Sequence, residues 1–270
     1  MRDIYKTGVL TELTQGSIIN NCISEDFRDC KVWGCVITPR CDLANEGKVS
    51  TFHYLPVIDF ANWVDKVFRE MLREEYYANL RGKINQKLES AGAGKNVMNV
   101  FETQAQILQL ANAIIKPKEL PVFLTTCHQY FDRDSEAEKD YLRDERHYKK
   151  ILTDLLSNGI HGYYLLESWE NVDNFKIVIL RDIRRISITT RSYYEQWMNR
   201  GVEDDSFFRK NDVSDVTNDN DYYRIEACIQ SPFIEHIMQS FSYNFIRIGI
   251  PSFDENIKQK LTNVIKTVLS

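Results

Sequence analysis

The feature that most constrains the fold is a change of hydrophobic period that occurs twice along the chain. Short apolar runs fill the first sixty residues, helical spacing follows for about a hundred residues, and strand-like runs then return. Period two is typical of strands and period 3.6 of helices. The three strands of the first sixty residues would leave their sheet edges unpaired if they formed a domain of their own. Two independent domains are therefore disfavoured. The pattern predicts an α+β fold whose sheet is assembled from distant segments around a helical block.

β-branched and aromatic residues predict the strands, and capping and stop signals predict the helices. The predicted strands are 16–22, 32–38, 49–58, 161–166, 175–188 and 222–229. The predicted helices are 60–90, 100–115, 135–156, 192–199, 231–241 and 255–269. Ser135 is the expected N-cap of the third helix, because Glu138 follows three residues later. The acidic stretch 203–221 is predicted to be a loop.

Composition limits the partners and the compartment. The chain has 34 Lys and Arg against 39 Asp and Glu, a formal charge of -5, so any nucleic-acid site must be a local basic patch. No run approaches the roughly 18 apolar residues of a membrane span, and the N-terminus lacks a signal-like apolar stretch. We therefore expect a cytoplasmic protein without a membrane partner, in which the six cysteines are not in disulfides.

The cysteines near the N-terminus are candidates for two kinds of chemistry, zinc binding and nucleophilic catalysis. Zinc prefers thiolate and imidazole ligands, but no Cys-x-x-Cys pair is present, so no metal site is predicted. Cys41 is a candidate nucleophile at a strand end, with His53, His128 or His161 as the base. Asp42 beside it would raise the pKa of the thiol, and its alternative role is to cap the turn. The clustered residues considered for zinc are Cys22, Cys30, Cys35, Cys41 and His53.

A cluster of arginines is the candidate nucleic-acid contact. Arg181, Arg184, Arg185 and Arg191 lie on a predicted strand and its exit. Strand alternation places Arg181 and Arg185 on one face and Arg184 on the other with Asp182. Such a row could contact phosphates, or it could be a solvated strand face. The acidic stretch 203–221 could then fold over the arginines as a mimic of nucleic acid or of an acidic partner.

The segment 16–58 is similar to the opening of the MazF/PemK family of SH3-like barrels. It has Gly16-Ser17-Ile18, then 34–38 (GCVIT), then 54–58 (YLPVI), and 178–186 resembles that family's late strand through Asp-x-Ile-Arg. The resemblance implies a sequence-specific RNA endonuclease acting as a toxin that an acidic antitoxin segment neutralises. Arg28 is then the candidate catalytic arginine. The chain departs from the family at Asp59, where a small hydroxyl residue is expected.

A second resemblance is to uncharacterised bacterial proteins that carry a Cys-Asp-Leu strand end and a later Ser-Pro helix. Cys41-Asp42-Leu43 and the stretch 231–241 stand in those places, and this resemblance implies no activity.

Together these observations predict an α+β protein built on a partly open SH3-like β-barrel. The barrel is predicted to comprise 8–58 and 160–230, with a helical insertion at 60–158 and a helical tail at 231–270 packed on the barrel. The expected role is a bacterial accessory module of a toxin-like or anti-phage defence system that binds a protein partner, RNA or DNA through the barrel. The alternatives are a metal-independent endoribonuclease without a cofactor and, third, a cysteine-dependent hydrolase. A homodimer through the helical block is a further alternative.

Overall fold

The computed structural model describes residues 4–6, 13–45, 51–101, 103–133, 135–170, 174–187, 207–209 and 222–245. The strands are β1 (Tyr5–Lys6), β2 (Ser17–Ile19), β3 (Val32–Val36), β4 (Thr51–Asp59), β5 (Tyr163–Glu167), β6 (Phe175–Ile179), β7 (Arg184–Ser187), β8 (Phe207–Arg209) and β9 (Tyr222–Ile229). The helices are α1 (Arg40–Ala44), α2 (Phe60–Trp63), α3 (Arg69–Ser90), α4 (Gln104–Ile114), α5 (Leu120–Phe131), α6 (Glu136–Arg143), α7 (Glu145–Leu156) and α8 (Phe233–Tyr243). A π-helical turn, Val64–Phe68, joins α2 to α3, and a 3₁₀ turn covers Val97–Asn99.

The strands form one antiparallel sheet with the order β1-β9-β2-β3-β4-β6-β5. β7 pairs with the first half of β4, and β8 pairs with β9. Sequence-distant segments therefore lie side by side, as the enclosed helical block predicts: β9 is inserted between β1 and β2.

The two ends of this strand order meet through a side chain. The Tyr5 hydroxyl on β1 donates a hydrogen bond of 2.5 Å to the backbone carbonyl of Glu167 on β5. The Tyr5 ring also lies edge-on to Trp169, with ring centroids 5.7 Å apart. The sheet thus curls into a partly open barrel. This barrel, the helical insertion and the C-terminal helix confirm the predicted α+β fold class.

Each face of the sheet carries its own core. The concave face encloses Trp33, Leu55, Val57 and Val178, and α8 covers part of it with Ile234 and Ile237. The convex face packs against α2, the π-helical turn and α7. Its buried residues from those helices are Trp63, Phe68, Ile151 and Leu155. Strands buried on both faces have near-continuous apolar sequences, as β3 does.

The predicted strand 175–188 is interrupted. Val178 on β6 pairs with Val57, and Arg184 on β7 pairs with Tyr54. The chain thus advances six residues from Val178 to Arg184 while β4 advances only three. The surplus residues, 180–183, bulge out beside Leu55 and Pro56 of β4. Proline has no N–H to donate to a ladder, which is why Pro tends to stand at bulges and edges.

The helical insertion is built on α3. Its buried residues Leu72, Tyr76, Leu80, Ile84 and Leu88 recur every four positions and form one stripe. The helix ends at Ser90, and Gly92 adopts a φ of +101°, the left-handed conformation that closes many helices. The prediction that the chain stops its first helix at 91–94 is confirmed.

Two helix predictions need correction. The helix predicted at 135–156 is two helices, because Asp144 ends α6 and caps α7 by accepting a hydrogen bond from the Arg146 N–H at 3.0 Å. α5 was not predicted. Its Pro121 stands in the first turn, where an N–H has no intrahelical partner and proline is tolerated.

Other predictions lie outside the described residues. They concern the helices at 192–199 and 255–269, Arg191, and the acidic stretch 203–221 outside Phe207–Arg209. Those three residues form the strand β8, where a loop is predicted. In the part of the chain that the structure describes, no helix is long and apolar enough to cross a membrane.

Candidate functional site

The candidate nucleophile Cys41 is exposed in the short helix α1. Its thiol lies 3.7 Å from Asp42 Oδ1, a weak hydrogen bond. The imidazoles of His128 and His236 are occupied elsewhere, by Gln104 and Tyr164 respectively. Among the described residues no histidine is hydrogen-bonded to the Cys41 thiol.

The cysteines and the histidine considered for zinc do not converge. Cys35 is fully buried in β3, and burial raises the pKa of its thiol to about 12. Cys22 is buried and donates weakly to the Ile19 carbonyl, whereas His53 is exposed on β4. Across the described residues, no group of three or more His, Cys, Asp or Glu side chains is placed to hold a metal ion.

The arginine row is not the alternating strand that the sequence predicts. Arg181 lies in the bulge, exposed, and its Nε donates to Asn244 Oδ1 at 3.3 Å. Arg185 is exposed on β7 opposite His53, and Arg28 is exposed in the loop between β2 and β3. Because the bulge breaks the alternation, the faces predicted for Arg181 and Arg185 do not follow from one continuous strand.

Arg184 is held in an ion network. Its Nε donates to Asp182 Oδ1 at 2.5 Å, and its Nη1 donates to Glu25 Oε1 at 2.9 Å. The Ser24 hydroxyl donates to the second oxygen of Asp182 at 2.8 Å. The hydrogen bonds that the guanidinium donates to Asp182 and Glu25 raise the pKa of Arg184, and the bond from Arg184 lowers the pKa of Glu25. The network ties the loop between β2 and β3 to the bulge.

Two apolar side chains flank this network. Ile23 is 66% exposed and Ile183 is 44% exposed, and each is one residue from the Ser24–Asp182 hydrogen bond. We define the bulge surface as Ile23, Glu25, Arg28, Asp182, Ile183 and Arg184. Within this set two carboxylates stand beside two guanidinium groups, and Arg181 in the bulge and Arg185 on β7, both exposed, lie next to it.

A buried lysine that the sequence reasoning missed lies at the far end of β6. Lys176 is 1% exposed, and its Nζ bonds Asp59 Oδ1 at 2.7 Å and Glu170 Oε2 at 2.5 Å. The ammonium also lies 3.6 Å from the centroid of Trp33 and 5.1 Å from that of Trp169. Asp59, the residue that departs from the MazF/PemK pattern, is thus a partner of a buried cation.

The indoles around Lys176 share a further carboxylate. Trp33 Nε1–H donates to Glu226 Oε2 at 2.7 Å, and Trp169 Nε1–H donates to the same oxygen at 3.3 Å. Burial would raise the pKa of Glu170, but bonds and charges from Lys176 and then Lys31 outweigh it and lower that pKa. Four separate chain segments meet here. The cluster links these segments of the barrel through Lys176. Because Lys176 is only 1% exposed, its amine is not accessible to a substrate.

Sequence signals for this cluster are weak. A single lysine in an apolar strand, FKIVI, is the visible sign, because a buried lysine needs counter-charges. Glu170 is six residues from Lys176, but the other carboxylate, Asp59, is 117 residues away.

Comparison with known proteins adds no relative. No protein-family model, no curated protein and no solved structure matches this chain.

Proposed function

We propose that the chain is a recognition module that binds a protein partner through the bulge surface on its barrel. The observation that carries the proposal is a pair of exposed isoleucines, Ile23 and Ile183, next to a hydrogen-bonded network in which Arg184 is paired with two carboxylates. Protein interfaces typically combine apolar residues and arginine at the centre with a polar rim.

The arrangement of charge supports a protein over a nucleic acid. A phosphate backbone is bound by several unpaired cations, and the affinity follows the number of phosphates neutralised. Arg184 instead has 22% of its side chain exposed and is paired with two carboxylates. These two carboxylates compete with a phosphate for the Arg184 guanidinium.

Hydrogen bonds that hold the loop between β2 and β3 in place also support binding of a protein partner. Tyr54 on β4 reaches the loop: its hydroxyl donates to the Ile23 carbonyl at 3.2 Å and accepts from the Ile23 N–H at 3.3 Å. With the Ser24 and Glu25 bonds, this fixes the loop on the sheet. A pre-ordered surface loses less entropy when a partner docks.

The test is site-specific photo-crosslinking in the cell of origin. A photoreactive amino acid replaces Ile183 in the full chain, and the matched control replaces Val122, which is 74% exposed on α5. We expect a discrete protein adduct from position 183 alone, and we expect Ile23→Asp to abolish it. The same adducts from both positions, or none from position 183, would contradict the proposal.

A second arm tests the nucleic-acid alternatives. Purified protein is incubated with mixed single-stranded and structured RNA at low salt without metal. We expect neither retention nor cleavage. Cleavage lost in Arg28→Ala or Arg185→Ala would replace the proposal with the endoribonuclease that the MazF/PemK resemblance implies.

A further inference from the structure

A groove runs between the start of the long helix and the pair α6 and α7. Its volume is about 680 Å³, within the range of small-molecule sites in proteins. Apolar residues make up most of its lining: Phe60, Val64, Phe68, Leu72, Leu142, Tyr148 and Leu152. Val64 and Phe68 belong to the π-helical turn, a distortion often found at functional sites.

Four cations line the same groove from two sides. Arg69 and Arg73 are one helical turn apart on α3, and Lys139 and Arg143 are one turn apart on α6. Residues four apart share a helix face, so each helix presents two positive charges to the groove. Glu138 is the carboxylate of the lining, and its oxygens already accept from Arg73 and Tyr77.

The acidic partners of these cations stand outside the lining. Asp65 lies 2.9 Å from Arg69, and Glu70 lies 3.5 Å from Arg73. Glu136 lies 3.3 Å from Lys139 and 3.7 Å from Arg143, and Asp140 lies 3.9 Å from Arg143. The side chains of these four acids are 61–73% exposed. Exposed ion pairs contribute about 0–1 kcal/mol, so an anion in the groove can redirect the cations at little cost.

Arg73 is the fixed member of the set. Its Nε donates to Glu138 Oε1 at 2.8 Å, and Glu138 is 2% exposed. Glu138 is itself held by the Tyr77 hydroxyl and by the Ser135 hydroxyl, which caps its backbone N–H at 3.3 Å. One guanidinium is thus positioned before any ligand arrives.

We propose that this groove binds an amphipathic anion: an apolar chain that lies along the Phe60–Leu152 side, with one carboxylate or phosphate head at the cations. Charge complementarity selects the head, since four cations and one internally paired carboxylate line the space. The site is separate from the bulge surface and does not depend on the proposed protein partner.

The test compares amphiphiles of one chain length and different heads. Dodecanoate, dodecyl phosphate, dodecanol and dodecyltrimethylammonium are titrated into the full chain below their micelle concentrations, by calorimetry. We expect the two anions to bind at least about tenfold more tightly than the alcohol, and the cation not to bind. The ratio of dodecanoate to dodecyl phosphate affinities identifies a free fatty acid or a phosphorylated lipid as the source.

Variants locate the binding. Arg69→Gln with Lys139→Gln should weaken dodecanoate about tenfold and leave dodecanol unchanged, because only the head loses partners. The matched control is Lys83→Gln with Lys118→Gln, which line a different cleft between α3 and α5, and we expect it to bind normally. Equal binding of the cationic amphiphile, equal loss in the control, or no binding by any anion overturns the proposal.

Discussion

The barrel and the helical insertion each bury one charged side chain, and they do so differently. Among the described residues, the buried charges are Lys176 in the barrel and Glu138 in the insertion. Lys176 joins two carboxylates and two indoles from separate segments. Glu138 joins one guanidinium on α3 and one phenol. The barrel therefore depends on its buried charge to connect the sheet to a loop, whereas the insertion uses its charge to pin one helix to another.

The largest expected effect is that of Lys176→Ala. Removing one member of a buried ion pair leaves its partners uncompensated, which costs about 3–5 kcal/mol. Asp59 and Glu170 are each 37% exposed and regain some hydration, so we expect a loss of about 3 kcal/mol in the free energy of unfolding, measured in urea.

Lys31→Ala is the matched control. That lysine contacts the same Glu170 but is 55% exposed, and we expect it to cost less than about 1 kcal/mol. Equal losses would show that burial does not distinguish the two lysines.

A smaller effect is expected for Glu138→Gln. The amide keeps the shape and one acceptor oxygen, and Arg73 keeps a contact with Glu70 at 3.5 Å. We therefore expect a loss of about 1–2 kcal/mol in the free energy of unfolding. Glu136→Gln, at a 70% exposed position of the same helix, should cost almost nothing. A loss from Glu138→Gln that exceeds the loss from Lys176→Ala would reverse the comparison.

A still smaller effect is expected in the pH dependence of the barrel. The pKa of Glu170 is lowered in the folded state, so its ionised form stabilises the fold above the ordinary glutamate pKa of about 4.3. That contribution should disappear as pH falls through the lowered pKa. Denaturation of the native chain and of Glu170→Gln from pH 7 to pH 3 should show a difference that shrinks below about pH 4.3. A constant difference would indicate that the carboxylate acts by packing alone.

Thiol labelling compares how often the barrel and the helical insertion open locally. This prediction concerns labelling rates and not the free energy of unfolding. Burial raises the pKa of both Cys35 in the barrel and Cys127 in the insertion to about 12. Each thiol therefore reacts only after local opening. β3 is paired on both sides, so we expect single-cysteine variants retaining Cys127 to be labelled at least about tenfold faster than those retaining Cys35. Cys41, exposed, should react at once. Slower labelling of Cys127 would make the insertion the more rigid region.

Local patterns in the sequence account for most of the fold. β9 has the predicted bounds, and α3 ends where the Ala-Gly run predicts. The interruption of the strand 175–188 could not be predicted, because it depends on pairing with another strand, β4, beside Leu55 and Pro56. The break at Asp144 has a visible signal in retrospect, since an aspartate that precedes Glu145 can cap a new helix.

The sites were less accessible to sequence reasoning than the fold. Arg184 is paired with two carboxylates, and one of them belongs to Glu25, 159 residues away. Lys176 was missed although Glu170 is only six residues away, because its second carboxylate, Asp59, is 117 residues distant. A sequence lists charges in chain order, whereas pairing in this sheet joins residues more than a hundred positions apart, and no periodicity encodes which of them meet.

The place of β9 in the sheet has a consequence for how the molecule is made. Ribosomes release the chain from its N-terminus, so β2 emerges about two hundred residues before the strand that lies between it and β1. The contacts within α3 to α7 are nearer in sequence and can form first. Until residues 222–229 appear, the edge of β2 that pairs with β9 has no partner and is open to strands of neighbouring nascent chains.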